Sequence, residues 1–236
     1  MARRSSRPRR PPRASGGGPM ERAAHAILAE SGRTVGRLAA HSARAVAAAA
    51  ESAVASLGQG GSTYFCGNGG SAADAQHLAC ELAGRYLLDR PPLPAVALST
   101  NTSSLTAIGN DFGYDEVFAR QLEGLGSPGD VLVAITTSGR STSVLRAVEV
   151  ARELGMVVIG MTGAKGGAFA ARCDLALVTP HDSTPRIQEG HIAMGHALCE
   201  LIERELFARP ARTGGGRSMV RPTRRVVRRP ARRPAR

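Results

Sequence analysis

A chain of 236 residues with a formal net charge of +12 is long enough for one sizeable core, and its overall charge would suit a nucleic-acid binder. The placement of the charge excludes that reading for the core. Residues 1–20 and 209–236 hold 17 of the 31 basic residues and none of the 19 acidic ones, which leaves 14 basic against 19 acidic residues, a net of −5, in 21–208.

In chain order, residues 1–20 come first, rich in Arg, Pro, Gly and Ser and nearly free of apolar residues. Such a segment buries too little surface to offset its ordering entropy, so a disordered basic tail is expected here and again at 209–236, with at most weak polyanion binding. Residues 21–57 carry Ala, Leu, Val and Ile at helical spacing. They predict one long helix, or two with a break at Ser31-Gly32. Strands are expected at 62–66, 94–98, 130–135, 156–161 and 175–179. Helices are expected at 71–84, 102–108, 114–123, 141–154, 166–171 and 185–207. Short apolar strands alternating with helices indicate an α/β fold with a doubly wound, five-stranded parallel sheet. Its ligand site belongs at the carboxyl ends of the strands, near a topological switch point.

No apolar run is long enough to span a bilayer, and the N-terminus lacks the apolar segment of a secretory signal. The four cysteines (66, 80, 173 and 199) form no CxxC. The expectation is a cytoplasmic protein with reduced, buried thiols and no membrane partner.

Two strand-to-helix turns are rich in small and polar residues: Gly67-Asn68-Gly69-Gly70-Ser71 and Thr136-Thr137-Ser138-Gly139-Arg140-Ser141. Backbone N–H groups, the helix dipole and nearby hydroxyls at such turns suit an anion. Neither turn fits GxxxxGK[ST] or GxGxxG, which excludes a P-loop and a dinucleotide fingerprint. Tight turns also use Gly and Ser for conformational reasons alone. Two such turns at equivalent points of one sheet point to a phosphosugar or a similar ligand.

His77 and Glu81 are four residues apart and share a helix face. That spacing serves a metal, an acid–base pair or an ordinary surface pair. In the last helix, Gln188 and His196 are separated by roughly 12 Å along the axis and about 80° around it. Local spacing equally permits Gln188 with His191.

At these residues the chain resembles the sugar isomerase (SIS) family, and within it the sedoheptulose 7-phosphate (phosphoheptose) isomerases. The segments "GNGGSAADAQHLACELAGRY", "LTAIGNDFGYDEVFARQLE", "GDVLVAITTSGRSTSVLRAV" and "RIQEGHIAMGHALCELIE" carry the resemblance, which covers roughly 21–207. It implies a flavodoxin-like SIS domain and a homotetramer with sites at subunit contacts. It implies conversion of sedoheptulose 7-phosphate to D-glycero-D-manno-heptose 7-phosphate, the first step of nucleotide-activated heptose biosynthesis. It also implies one Zn2+ per subunit on His77, Glu81, Gln188 and His196, and an acid–base pair of Glu81 and His196. Substrate contacts fall on Asn68, Gly69, Gly70, Ser71, Glu81, Asn101, Asp111, Thr136, Thr137, Ser138, Ser141 and Gln188.

Two departures stand out. Asn101 takes the place of the family's Asp and carries no charge, and Arg140 takes the place of its Asn. The runner-up is a non-catalytic SIS protein of the type that binds the replication initiator. In that pattern the positions of Glu81 and His196 are neither acidic nor histidine, and this chain has both.

Overall fold

The computed structural model describes residues 18–208. Most of the two Arg-rich segments, 1–17 and 209–236, lies outside the described residues. The described chain begins in α1 (Pro19–Gly58), 40 residues long and so about 60 Å from end to end. Pro19 starts it, Glu21 sits in its first turn, and both suit a helix N-terminus. The helix runs unbroken through Ser31-Gly32. A glycine there costs about 1 kcal/mol relative to Ala, and the Ala-rich flanks carry the helix across it.

Five strands follow: β1 (Thr63–Gly67), β2 (Ala95–Ala97), β3 (Val131–Ile135), β4 (Val157–Gly163) and β5 (Leu175–Thr179). They pair in parallel in the order β2-β1-β3-β4-β5. The connecting helices are α2 (Gly70–Ala83), α3 (Thr102–Asp111), α4 (Ala119–Leu125), α5 (Thr142–Glu153) and the short α6 (Gly167–Ala170). A 3-10 turn at Tyr114–Glu116 precedes α4. The described residues end in α7 (Thr184–Glu203) and a π-helical turn at Arg204–Ala208. Every residue of β1 and of β3 is buried, as a parallel sheet covered on both faces requires.

Neighbouring residues of one strand face opposite sides. Phe65 and Val133 enter a core with Leu78, Leu82, Leu177 and Leu198, under α1, α2 and α7. Tyr64, Cys66 and Leu132 enter a second core with Leu122, Val148 and Phe169, under α4, α5 and α6. The later part of α1 lies on α7 and β5, with Thr34, Leu38, Ser42, Val46, Ala49 and Ala53 buried. Ser42 Oγ donates to the Val178 carbonyl at 2.9 Å. Near its start Met20, Ile27 and Leu28 are exposed.

All four cysteines are free, as expected. Cys80, however, is exposed rather than buried, and Cys173 is half-buried. Cys80 lies on the solvent side of α2, next to core-facing Ala79. No helix among the described residues is long and apolar enough to cross a membrane.

Candidate active site

In the parallel register Gly67 stands opposite Ile135, so the turns after β1 and β3 emerge side by side at one sheet edge. This is the switch point of the strand order, where chain crossings to opposite faces leave a crevice. Each turn leads into the N-terminus of a helix, α2 or α5.

The first turn needs its glycines. Gly69 has φ +57°, in the left-handed region that favours glycine. A Cβ on Gly70 would overlap the Gln188 side-chain amide. Gln188 therefore lies over the turn, and it makes no hydrogen bond to His77, Glu81 or His196. Ser71 is buried, and its N–H donates to the Asn68 carbonyl at 3.0 Å.

Asn68 joins the two turns. Its Nδ2 donates to Ser141 Oγ at 2.8 Å and to Ser143 Oγ at 3.0 Å. Its Oδ1 accepts from the Tyr114 hydroxyl at 2.8 Å. In the second turn Thr136 is buried and donates its N–H to the Met161 carbonyl. Ser138 Oγ accepts from the Arg140 N–H at 3.2 Å. A cavity of about 270 Å³ opens beside this turn, lined by Thr137, Ser138, Arg140, Lys165, Asp182, Thr184 and Ile187. It places two cations, Arg140 and Lys165, next to the hydroxyls. Lys165 pairs with Asp182 at 3.2 Å.

The packing of α2 against α7 makes the second half of the site. His77 Nε2 lies 3.2 Å from Glu81 Oε1 and 3.1 Å from His196 Nε2. The two imidazoles meet edge-on, with centroids 4.9 Å apart at 63°. His77 Nε2 thus faces both a carboxylate and a second ring nitrogen, an arrangement suited to passing or sharing protons. As they stand, among the described residues, no three or more His, Cys, Asp or Glu side chains form a group that would hold a metal ion. One turn earlier on α2, burial pushes the Asp74 carboxyl above its usual range, against the pull of His77.

Asn101 and Asp111 make no hydrogen bond with either turn. Asn101 caps α3, its Oδ1 accepting from the Ser104 N–H at 3.0 Å. Asn and Asp cap helices about equally well, so the change from the family's Asp removes a charge and keeps the cap. Asp111 is exposed at the end of α3 and accepts from Asn110 at 2.8 Å.

His191, five residues before His196, is fully buried with neither ring nitrogen in a well-formed hydrogen bond. It belongs to the core. Three residues at the site escaped the sequence analysis: Ser143 and Tyr114, which hold Asn68, and Tyr86, whose ring lies 5.9 Å from that of His196. Ser143 was signalled weakly by the serine-rich turn it follows. The other two had no local signal, because their partners are distant in sequence.

The family model described as the SIS domain matches residues 28–163. The chain belongs to the SIS-domain family. Within that family it groups with the phosphoheptose isomerases. The phosphoheptose isomerase of Rhodospirillum rubrum is 61% identical over 159 residues, covering 67% of this chain and 85% of the relative. That of a Bradyrhizobium species is 52% identical over 190 residues, covering 80% and 88%. Among solved structures, the phosphoheptose isomerase of Neisseria gonorrhoeae has a TM-score of 0.74 at 46% identity, covering 78% of this chain and 98% of that one. The Francisella tularensis enzyme reaches 0.76 at 38% identity, with the same coverage.

Proposed function

We infer that the chain is an aldose–ketose isomerase that converts sedoheptulose 7-phosphate to D-glycero-D-manno-heptose 7-phosphate. The reading is carried by one observation. His77 Nε2 lies within 3.2 Å of both the Glu81 carboxylate and the His196 ring nitrogen, in a family whose similar members carry this activity in their names.

The phosphate lies at the turns 67–71 and 136–141, on N–H groups, hydroxyls and the N-termini of α2 and α5. Glu81 removes a proton from C1 of the ketose. The electron pair forms the C1–C2 double bond of an enediol as the C2 oxygen gains a proton. Return of a proton to C2 and loss of one from the C1 oxygen complete the aldose. His196 moves the protons on the oxygens. Asn68, held on three sides, keeps the first turn in place against the sugar.

Two imidazoles and a carboxylate are a donor set that zinc accepts in kind, so His77, Glu81 and His196, with Gln188 as the remaining candidate, are the residues that would hold the expected ion, although their side chains form no metal-binding group as they stand. When bound, such an ion polarises oxygens of the substrate. The working unit is the SIS domain, residues 21–208, in a homotetramer in the cytoplasm, with the Arg-rich segments outside it. The exposed Met20, Ile27 and Leu28 of α1 support assembly.

The test is incubation of the purified protein with sedoheptulose 7-phosphate while aldose formation is followed. Turnover is expected. Its complete absence would overturn the reading in favour of a non-catalytic SIS protein.

A further inference from the structure

Beneath the acid–base cluster lies an ion pair that the chemistry does not use. The side chains of Arg90 and Glu203 are each 1% exposed, and Arg90 Nε donates to Glu203 Oε1 at 2.9 Å. A buried pair is weak evidence of added stability, because its desolvation offsets much of its attraction. Its connections are more informative.

Arg90 Nη2 donates to the Glu81 carbonyl at 2.8 Å, and Nη1 donates to the Leu82 carbonyl at 2.8 Å and the Gly84 carbonyl at 3.2 Å. The Glu81 and Leu82 carbonyls belong to the last turn of α2, which has no intrahelical donors of its own. Arg90 therefore caps α2 from outside, at the turn that carries Glu81. Glu203 accepts from the backbone N–H groups of Tyr86, Leu87 and Leu88 at 3.1, 2.8 and 2.9 Å. Burial would raise the Glu203 carboxyl, but these bonds together with Arg90 hold it below its usual range. The loop so fixed presents Tyr86, whose ring packs on His196 with planes 32° apart. Glu203 and His196 are seven residues apart on α7, so they share one face.

We propose that Arg90 and Glu203 are a positioning pair for the isomerisation. The pair holds Glu81 through its main chain and His196 through Tyr86. The inference rests on the reading of Glu81 and His196 as the acid–base pair. It needs a guanidinium, because five donors in a rigid fork reach Glu203 and the α2 carbonyls together. A lysine in its place keeps the charge and loses the fork.

Arg90→Lys, Tyr86→Leu, Glu81→Gln and, as a stability control, Leu122→Ala in the opposite core are compared in the full-length protein. The readouts are melting temperature, affinity for inorganic phosphate, KM and kcat. Arg90→Lys is expected to bind phosphate normally and keep KM, with kcat about 10–100-fold lower, the range for residues supporting a site's working groups. Tyr86→Leu leaves the main-chain bonds to Glu203 and removes the ring from His196, and a fall of about tenfold in kcat is expected. Leu122→Ala lowers the melting temperature and keeps kcat.

The proposal is overturned if Arg90→Lys retains kcat within twofold, or if its loss only matches that of Leu122→Ala at equal melting temperature. Should Arg90→Lys fail to fold, full turnover by Tyr86→Leu overturns it instead. If Glu81→Gln keeps its turnover, the acid–base assignment is what fails.

Discussion

His191 and His196 lie five residues apart on α7 with opposite fates, and the difference gives a measurable pH dependence. His191 is 0% exposed, and burial pushes its pKa from 6.5 down to about 4. In the unfolded chain the imidazole takes up a proton near its ordinary pKa. In the folded chain it does so only near pH 4. Between those values the unfolded state binds more protons, so stability falls as the pH falls. The whole contribution is about 3 kcal/mol, present above pH 6.5 and gone below pH 4. About 2 kcal/mol of it is lost between pH 7.5 and pH 5. The perturbation is His191→Asn, which removes the titrating group. Urea unfolding at fixed protein concentration, at pH 7.5 and pH 5, gives the loss for each protein. The variant is expected to be less stable at pH 7.5, with an unsatisfied buried amide, but to lose about 2 kcal/mol less than the unaltered chain on acidification. Equal losses in the two proteins would refute the reasoning. Because His191 lies in the core, the cost falls on stability, and kcat of the folded variant at neutral pH is expected to change little.

Glu81→Gln keeps the shape of the side chain and removes the base, so kcat is expected to fall about 10²–10⁴-fold with substrate still bound. His196→Asn acts in the same direction, and near-full turnover by either in an aldose-formation assay would contradict its role. Asn68→Ala strips the turn of its bonds to Ser141, Ser143 and Tyr114. Steady-state kinetics should show KM raised about tenfold and kcat nearly unchanged, since the contact serves ground and transition states alike.

Much of the fold was legible because its elements are local patterns. "VLVAI" and "VVIGM" are continuous apolar runs bounded by turn residues, the mark of strands buried on both faces. Each strand formed where expected, with ends shifted by at most two residues. The unbroken course of α1 was not legible, since a Gly-containing heptad reads equally as a helix interior or as a break. For the site, the two glycine- and serine-rich turns declared themselves, and so did His77 with Glu81, because four residues is one helical turn. Cys80 read as a core residue by type, yet its place on α2 turns it to solvent.

By itself, then, the sequence determined the order and type of the elements, the two turns and the shared face of His77 and Glu81. All of these depend on neighbours within a few residues. Tertiary structure alone decided which distant faces meet. It set His196 on His77, 119 residues away, while Gln188 from the same helix went to Gly70 and His191 to the core. It joined Asn68 to Ser141 and Tyr114, and closed Arg90 on Glu203. Helical periodicity defines a face but not its partner. The partner follows from the β2-β1-β3-β4-β5 order of the sheet and from the packing of α7 across α2, which no local spacing encodes.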